Sequence, residues 1–217
     1  GAWSATGVSA LQDAQKFSNE SREKVTLEAG MLWHKITRES PAWKLRSEII
    51  NFAPTTSDRV ELMMVNLTNT GQSKMKIVCT SGIPIFGRSA DNLSDHQHVT
   101  SLLHRIQSHS AGVVVKPAMS FDERGHKLNE TSYAVLGFPE NGELPEGSFY
   151  AVPDFIGEGG DFEAPRSVLE NWPLPQKDGK AYHGKPAVGA LRFKPCVLLP
   201  GKTARFVLIL GIAEKEH

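Results

Sequence analysis

Residues 59–68 read Arg-Val-Glu-Leu-Met-Met-Val-Asn-Leu-Thr, the run that most constrains what this chain can become. In an extended strand, alternate side chains point to opposite faces. Val60, Leu62, Met64 and Asn66 then share one face, and Glu61, Met63, Val65 and Leu67 share the other. A strand that is apolar on both faces has to be covered from both sides, which calls for a large layered β structure. Period-two alternation recurs at Val25-Leu27-Ala29 and at Trp43-Leu45-Ser47 closing on Phe52, and later strands are expected over 132–138, 149–152, 187–193 and 203–212. The turn Asn69-Thr70-Gly71-Gln72 makes 74–80 the expected hairpin partner of 59–68, and 99–106 is expected to pair with 112–121. Helical periodicity is weak, with room for short helical turns only at 9–19 and 165–170. The expectation is an all-β, large antiparallel super-sandwich of about ten strands, with few short helical turns.

The domain reading is an extended lead-in over 1–22, anchored by Trp3 and Phe17, followed by one β-sandwich domain over 23–217. A chain of 217 residues buries a sizeable core. Its 24 basic and 24 acidic residues cancel, which argues against a nucleic-acid or anionic-membrane surface. No apolar run approaches the roughly 20 residues of a membrane span, and the first residues do not read as a secretory leader, so the expected location is cytoplasmic. Cys79 and Cys196 sit in apolar sequence and read as buried thiols in a reducing compartment.

Candidate chemistry gathers in two polar knots. Arg88, Asp91, Asp95, His96, His98, His104 and Arg105 fall within nineteen residues of chain beginning at Gly87, and Asp122-Glu123-Arg124-Gly125-His126 follows the apolar run 113–121. His96 and His98 would share a strand face, but a metal site needs a third and usually a fourth ligand, and spacing fixes none. A mutarotase-like reading uses a histidine (His96, His98 or His126) as acid and Asp122 or Glu123 as base around a sugar ring, without spacing that selects a pair. The competing reading is structural: Asp91, Asp95 and Asp122 accept charge-assisted hydrogen bonds from Arg88, Arg105 and Arg124 and tie loops to the sheet. The glycines in Phe155-Ile156-Gly157-Glu158-Gly159-Gly160 lack the Lys-Ser/Thr of a phosphate loop and read as a tight β-loop anchored by Phe155, Ile156 and Phe162. Trp33 and Trp43 read as core. Trp172 and Tyr182, in irregular sequence, read as exposed rings able to stack on a sugar.

Trp3-Ser4-Ala5-Thr6-Gly7, the strand 60–69 ending in Leu-Thr-Asn-Thr, Asp95-His96-Gln97-His98, and Gly189-Ala190-Leu191 with Leu199-Pro200-Gly201 together carry a resemblance. The chain resembles, over essentially its whole length, the N-terminal β-sandwich domain of the family 94 glycoside phosphorylases. That family includes cellobiose and chitobiose phosphorylases and the phosphorylase regions of cyclic β-glucan synthases. Within it, 87–92 and 121–126 look most like the branch acting on β-1,2-linked gluco-oligosaccharides.

The resemblance implies a sandwich like that of galactose mutarotase. It also implies a parent enzyme in which inorganic phosphate, as co-substrate and with no cofactor, attacks the anomeric carbon of a β-glucoside while a carboxylic acid protonates the leaving oxygen. That acid belongs to an (α/α)6 barrel, so a chain without the barrel is expected to be inactive alone. The implied partners are the barrel of the same polypeptide, a second copy in a homodimer, and an oligosaccharide substrate. Arg88, Asp91, Asp95, His96, His98, Asp122, Arg124, His126 and Trp172 are then candidates for substrate placement or for an interface, with no catalytic residue and no metal ligand. A free-standing carbohydrate-binding module and a mutarotase-like enzyme are the alternatives.

Overall fold

The computed structural model describes residues 2–87, 100–122 and 125–214. After a short helix α1 (Ala10–Gln15), the chain forms β1 (Lys24–Gly30), β2 (Trp33–Ser40), β3 (Leu45–Phe52) and β4 (Val60–Asn69). Two short strands follow, β5 (Met75–Ile77) and β6 (Ile83–Ile85), then β7 (His104–His109) and β8 (Gly112–Pro117). Next come β9 (Met119–Asp122), β10 (Gly125–Leu128), β11 (Ser132–Pro139) and β12 (Gly147–Ala151). Helical turns α2 (Val152–Ile156), α3 (Arg166–Leu169) and η1 (Gly179–Tyr182) precede β13 (Ala187–Arg192), β14 (Cys196–Leu198) and β15 (Thr203–Ala213).

Eight strands make one antiparallel sheet in the order β1-β2-β3-β4-β15-β11-β8-β7. The strand that reads as apolar on both faces lies inside it, with Leu67 of β4 opposite Ser47 of β3 and Ala204 of β15. A three-stranded sheet, β12-β13-β6, covers one face. Between the two lie Leu67, Ile106, Val113, Val115, Val135, Leu191, Phe206 and Leu208, all buried, each contributing about 1.5–3 kcal/mol of burial free energy. Gly189 permits the close approach of β13 to β11: a Cβ there would stand 2.4 Å from that of Val135. A second cluster of Phe149, Phe155, Val188 and Ala190 forms outside β13.

Several expectations are corrected by this arrangement. Residues 74–80 do not pair with β4, whose edges are taken by β3 and β15; β5 pairs instead with β14, Cys196 opposite Ile77. The glycine segment follows a helical turn, not a β-loop, although Phe155 packs against Phe149 and Phe162 as an anchor should. Trp33 is 41% exposed and Phe17 93% exposed, so neither is a core anchor. Tyr182 is the opposite case: it is buried, with its ring 5.6 Å from that of Tyr150.

The lead-in lies on the same face of the large sheet as the core. Trp3 and Ala5 pack against the core cluster, and the Ser47 hydroxyl donates to the Ala5 carbonyl at 2.9 Å. Glu23 is the hub of this attachment. It accepts from the Trp3 indole at 2.6 Å, from the Gln12 amide at 3.1 Å and from the Arg38 guanidinium at 2.7 Å. Burial alone pushes the Glu23 carboxyl up, but those three donors outweigh it and hold the group below the usual carboxylate range.

Candidate functional site

Of the residues singled out from sequence, Arg88, Asp91, Asp95, His96, His98, Glu123 and Arg124 lie outside the described residues. The backbone of Asp122 ends β9, in register with Gly125 of β10. His126 follows on that hairpin, exposed, as are all four residues of β10. Trp172 is half-buried just beyond α3. The structure therefore places His126 and Trp172 on separate elements. Arg105 donates to the backbone carbonyls of Leu102 and His104, at 3.3 and 3.1 Å.

Gly87, at the start of the first polar knot, lies beside a buried imidazole. His104, on β7, is 1% exposed, and a Cβ at Gly87 would lie 3.2 Å from its Nε2 and 2.9 Å from Pro117. Burial pushes the pKa of His104 down, while the backbone groups of Gly87 and Lys185 pull weakly the other way. Neither ring nitrogen has a well-formed hydrogen bond, so the low-dielectric surroundings prevail and the ring is held neutral. Among the described residues, no three side chains of metal-ligating type gather.

Among the described residues, crevices at the rim of the sandwich include a larger and a smaller one. The larger, about 510 Å³, runs between the ends of β11 and β15 and the β13–β14 connection, lined by Leu144, Phe193, Pro195, Cys196 and Phe206. Ion pairs Lys194–Glu143 and Arg205–Glu140 border it, at 3.1 and 2.6 Å. The smaller, about 320 Å³, is lined by Lys76, Glu146, Asn171, Trp172, Leu174 and Arg192.

Arg192 organises the smaller crevice, and nothing in its sequence context of apolar strand marks it out. It is 6% exposed, lies over the Phe149 ring at 5.2 Å, and donates to the carbonyls of Trp172 and Ser167 at 2.6 and 3.0 Å. The Ser167 carbonyl lies within the single turn of α3 and the Trp172 carbonyl three residues past its end, so the guanidinium ties the helix to the chain that leaves it. Asn171 takes the left-handed φ of 50° just past this helix, with the Trp172 amide returning to Ser167 at 2.9 Å. The Trp172 ring is then fixed by its own indole donating to Glu170 at 2.7 Å and by Arg166 at 5.7 Å from its centroid. One face of the indole is thus engaged by a cation from within the chain.

Cys79 and Cys196 are free thiols, each half-buried. Burial, with a smaller contribution from Cys196, pushes the Cys79 thiol up to about 12, so it stays protonated and unreactive near neutral pH.

A broad antiparallel sheet faced by a smaller one, with charged crevices along its rim and a lead-in strapped to its core face, defines a β-supersandwich domain. The chain belongs to the supersandwich domain family of glycosyl hydrolase 94, whose model matches residues 3–217. Among solved structures it is similar to a polysaccharide lyase, at 9% identity over 84% of this chain and 22% of that one, with a TM-score of 0.42. It is also similar to a putative aldose 1-epimerase from Escherichia coli K12, at 9% identity over 88% of this chain and 69% of that one, with a TM-score of 0.40. Heparinase III matches at 9% identity over 89% of this chain and 22% of that one, with a TM-score of 0.38. The chain spans 22% of the length of the lyase and of heparinase III. No curated protein sequence matches it.

Proposed function

We propose that this chain is the non-catalytic supersandwich domain of an inverting β-glucoside phosphorylase, supporting assembly and substrate placement. The observation that carries the reading is the family match over residues 3–217. In the proposed parent, inorganic phosphate attacks the anomeric carbon of a β-glucosidic bond. The leaving sugar oxygen takes a proton from a carboxylic acid on the helical barrel, and inversion gives an α-glucosyl phosphate. The supersandwich would pack on that barrel within one polypeptide, and the enzyme would act as a homodimer in the cytoplasm on β-1,2-linked gluco-oligosaccharides. Four of the described carboxylates support a structural role, since Glu23, Glu140, Glu143 and Glu170 are each held by a cation of the same chain.

The test is phosphorolysis by the full polypeptide that contains this chain. With β-1,2-gluco-oligosaccharides and inorganic phosphate it is expected to release α-glucose 1-phosphate, whereas the 217-residue chain alone releases none. Release of free glucose without uptake of phosphate, or turnover by the isolated chain, overturns the reading.

A further inference from the structure

The two edges of the eight-stranded sheet are treated differently. On the β7 edge, the Gly184 amide donates to the His104 carbonyl at 3.0 Å and the His183 ring meets the Ile106 carbonyl at 3.1 Å. The turn η1 lies against the same strand, so close that a Cβ on Gly179 would stand 2.7 Å from the Ser108 amide nitrogen. That edge is covered. The β1 edge, among the described residues, has β2 on one side and no strand on the other.

An open edge strand presents a row of unpaired N–H and C=O groups, and proteins ordinarily blunt such edges with charged side chains, proline, bulges or a covering element. Of these devices β1 carries only charge, Lys24 and Glu28, and the two are of opposite sign and so self-complementary in an antiparallel pair. It pairs with β2 without a register shift from Lys24↔Glu39 to Gly30↔Trp33, and it contains no proline. All seven of its residues are exposed, and its core-side positions are apolar, with Val25 48% and Leu27 68% exposed.

We infer that β1 is an interface strand, and that it pairs antiparallel with β1 of a second copy of this chain. The occupant follows from the order of side chains along the strand. Like faces must match across a two-fold axis normal to the sheet, so residue i can pair only with a residue an even number of positions away. With the axis through Thr26, Lys24 meets Glu28 of the second copy, Val25 meets Leu27, and both pairs occur twice. Moving the axis to Val25 or Leu27 removes the Lys24–Glu28 match. Glu28 already bonds Lys35 of β2 at 2.6 Å, so the charged row would continue across the axis as Lys-Glu-Lys. The apolar pairs would close the core-side face of a continuous sixteen-stranded sheet, twice the eight strands of one chain. This inference deepens the assembling role proposed above and rests on it only for its purpose, not for its geometry.

The register is tested by charge reversal and mixing, read by sedimentation velocity on the 217-residue chain over a range of concentrations. The unaltered chain is expected to dimerise. K24E alone and E28K alone each place like charges at both pairs and should weaken dimerisation by roughly tenfold. An equimolar mixture of K24E and E28K restores opposite charges at both pairs and should form a heterodimer about as tight as the original. Glu39 lies across from residue 24 on β2, so a thermal melt of each variant verifies that it folds. A chain that stays monomeric overturns the inference and leaves the edge to another segment of a longer polypeptide. A dimer indifferent to the substitutions, or a mixture no tighter than either variant alone, overturns it equally. Phosphorolysis by the full polypeptide alongside any of these results means that the inference alone has failed. A register-specific dimer without phosphorolysis means that only the proposed function has.

Discussion

Glu23 and His104 each tie stability to acid, and they do so through opposite environments. Glu23 joins Trp3, Gln12 and Arg38 and so ties the lead-in to β2. Because its pKa is held below the usual carboxylate range, its contribution to stability is fully present above the unfolded-state value, about 4.3, and is lost as pH falls through the folded value. Glu23→Gln keeps the shape but removes the charge, and should lower stability at neutral pH by about 1–3 kcal/mol. Denaturant titrations should show the gap between variant and parent closing in acid; a gap that is constant with pH would count against the ionic role. His104 works the other way. Its pKa is pushed down by burial, so the folded state resists a proton that the unfolded chain accepts, and stability falls as pH drops below about 6.5. His104→Gln should flatten that limb of the stability profile by at most about 1.4 kcal/mol per pH unit, the slope of one linked proton. An unchanged acid limb would show that His104 does not carry it.

At the scale of elements, the packing of β13 on β11 decides how the two sheets meet. A methyl group at position 189 would enter the volume of Val135, whose Cγ1 would be 2.6 Å away in a region with no exposed neighbour to yield. Gly189→Ala is therefore expected to cost about 1–3 kcal/mol by overpacking, and Val135→Ala to cost by leaving a cavity. Combined, Val135→Ala removes the Cγ1 and Cγ2 contacts at 2.6 and 3.0 Å but keeps the Cβ at 2.4 Å, so the added methyl fills part of the cavity while a backbone shift is still required. The double variant should lose less than the sum, with a coupling of about 0.5–3 kcal/mol in a double-mutant cycle. Strict additivity would mean that the two residues do not share space.

Elements of this buried kind are the ones legible in the chain itself. β4, β11, β13 and β15 alternate or run apolar because the core covers them. β2, Trp-His-Lys-Ile-Thr-Arg-Glu-Ser, has one aliphatic residue and is held by neighbours instead of by its own pattern. The turn after Asn69 suggests a hairpin, yet Asn69 donates to the carbonyls of Ser73 and Leu198, which sends β5 to β14 and leaves β4 to the closing strand β15. Local turn chemistry gives no sign of a pairing 129 residues away along the chain. The crevice beside Trp172 escaped for the same reason: Arg192 is set by three segments distant in sequence, Phe149, Ser167 and Trp172.

Over the whole molecule, the eight-stranded sheet is wider than the three-stranded sheet that covers it. β8, β11 and β13 supply residues of near-zero exposure to the core, including Val113, Val115, Val188 and Leu191, whereas β1 supplies none. Local opening free energy follows buried apolar contact, so the fold should loosen from one side, with β1 and β2 opening far below the global unfolding free energy. Native-state hydrogen exchange reads this directly. At low protein concentration, amides of β8 and β13 should exchange only through global unfolding, and those of β1 should exchange fastest among the sheet strands. Raising the concentration should slow exchange in β1 with little change in β7, because a partner strand on the open edge buries amides there and η1 already covers the other edge. Protection that rises equally at both edges would point to a face-to-face association. Protection in β1 that already matches β8 in dilute solution would mean that the wide sheet is stabilised as one unit, and the graded picture would fail.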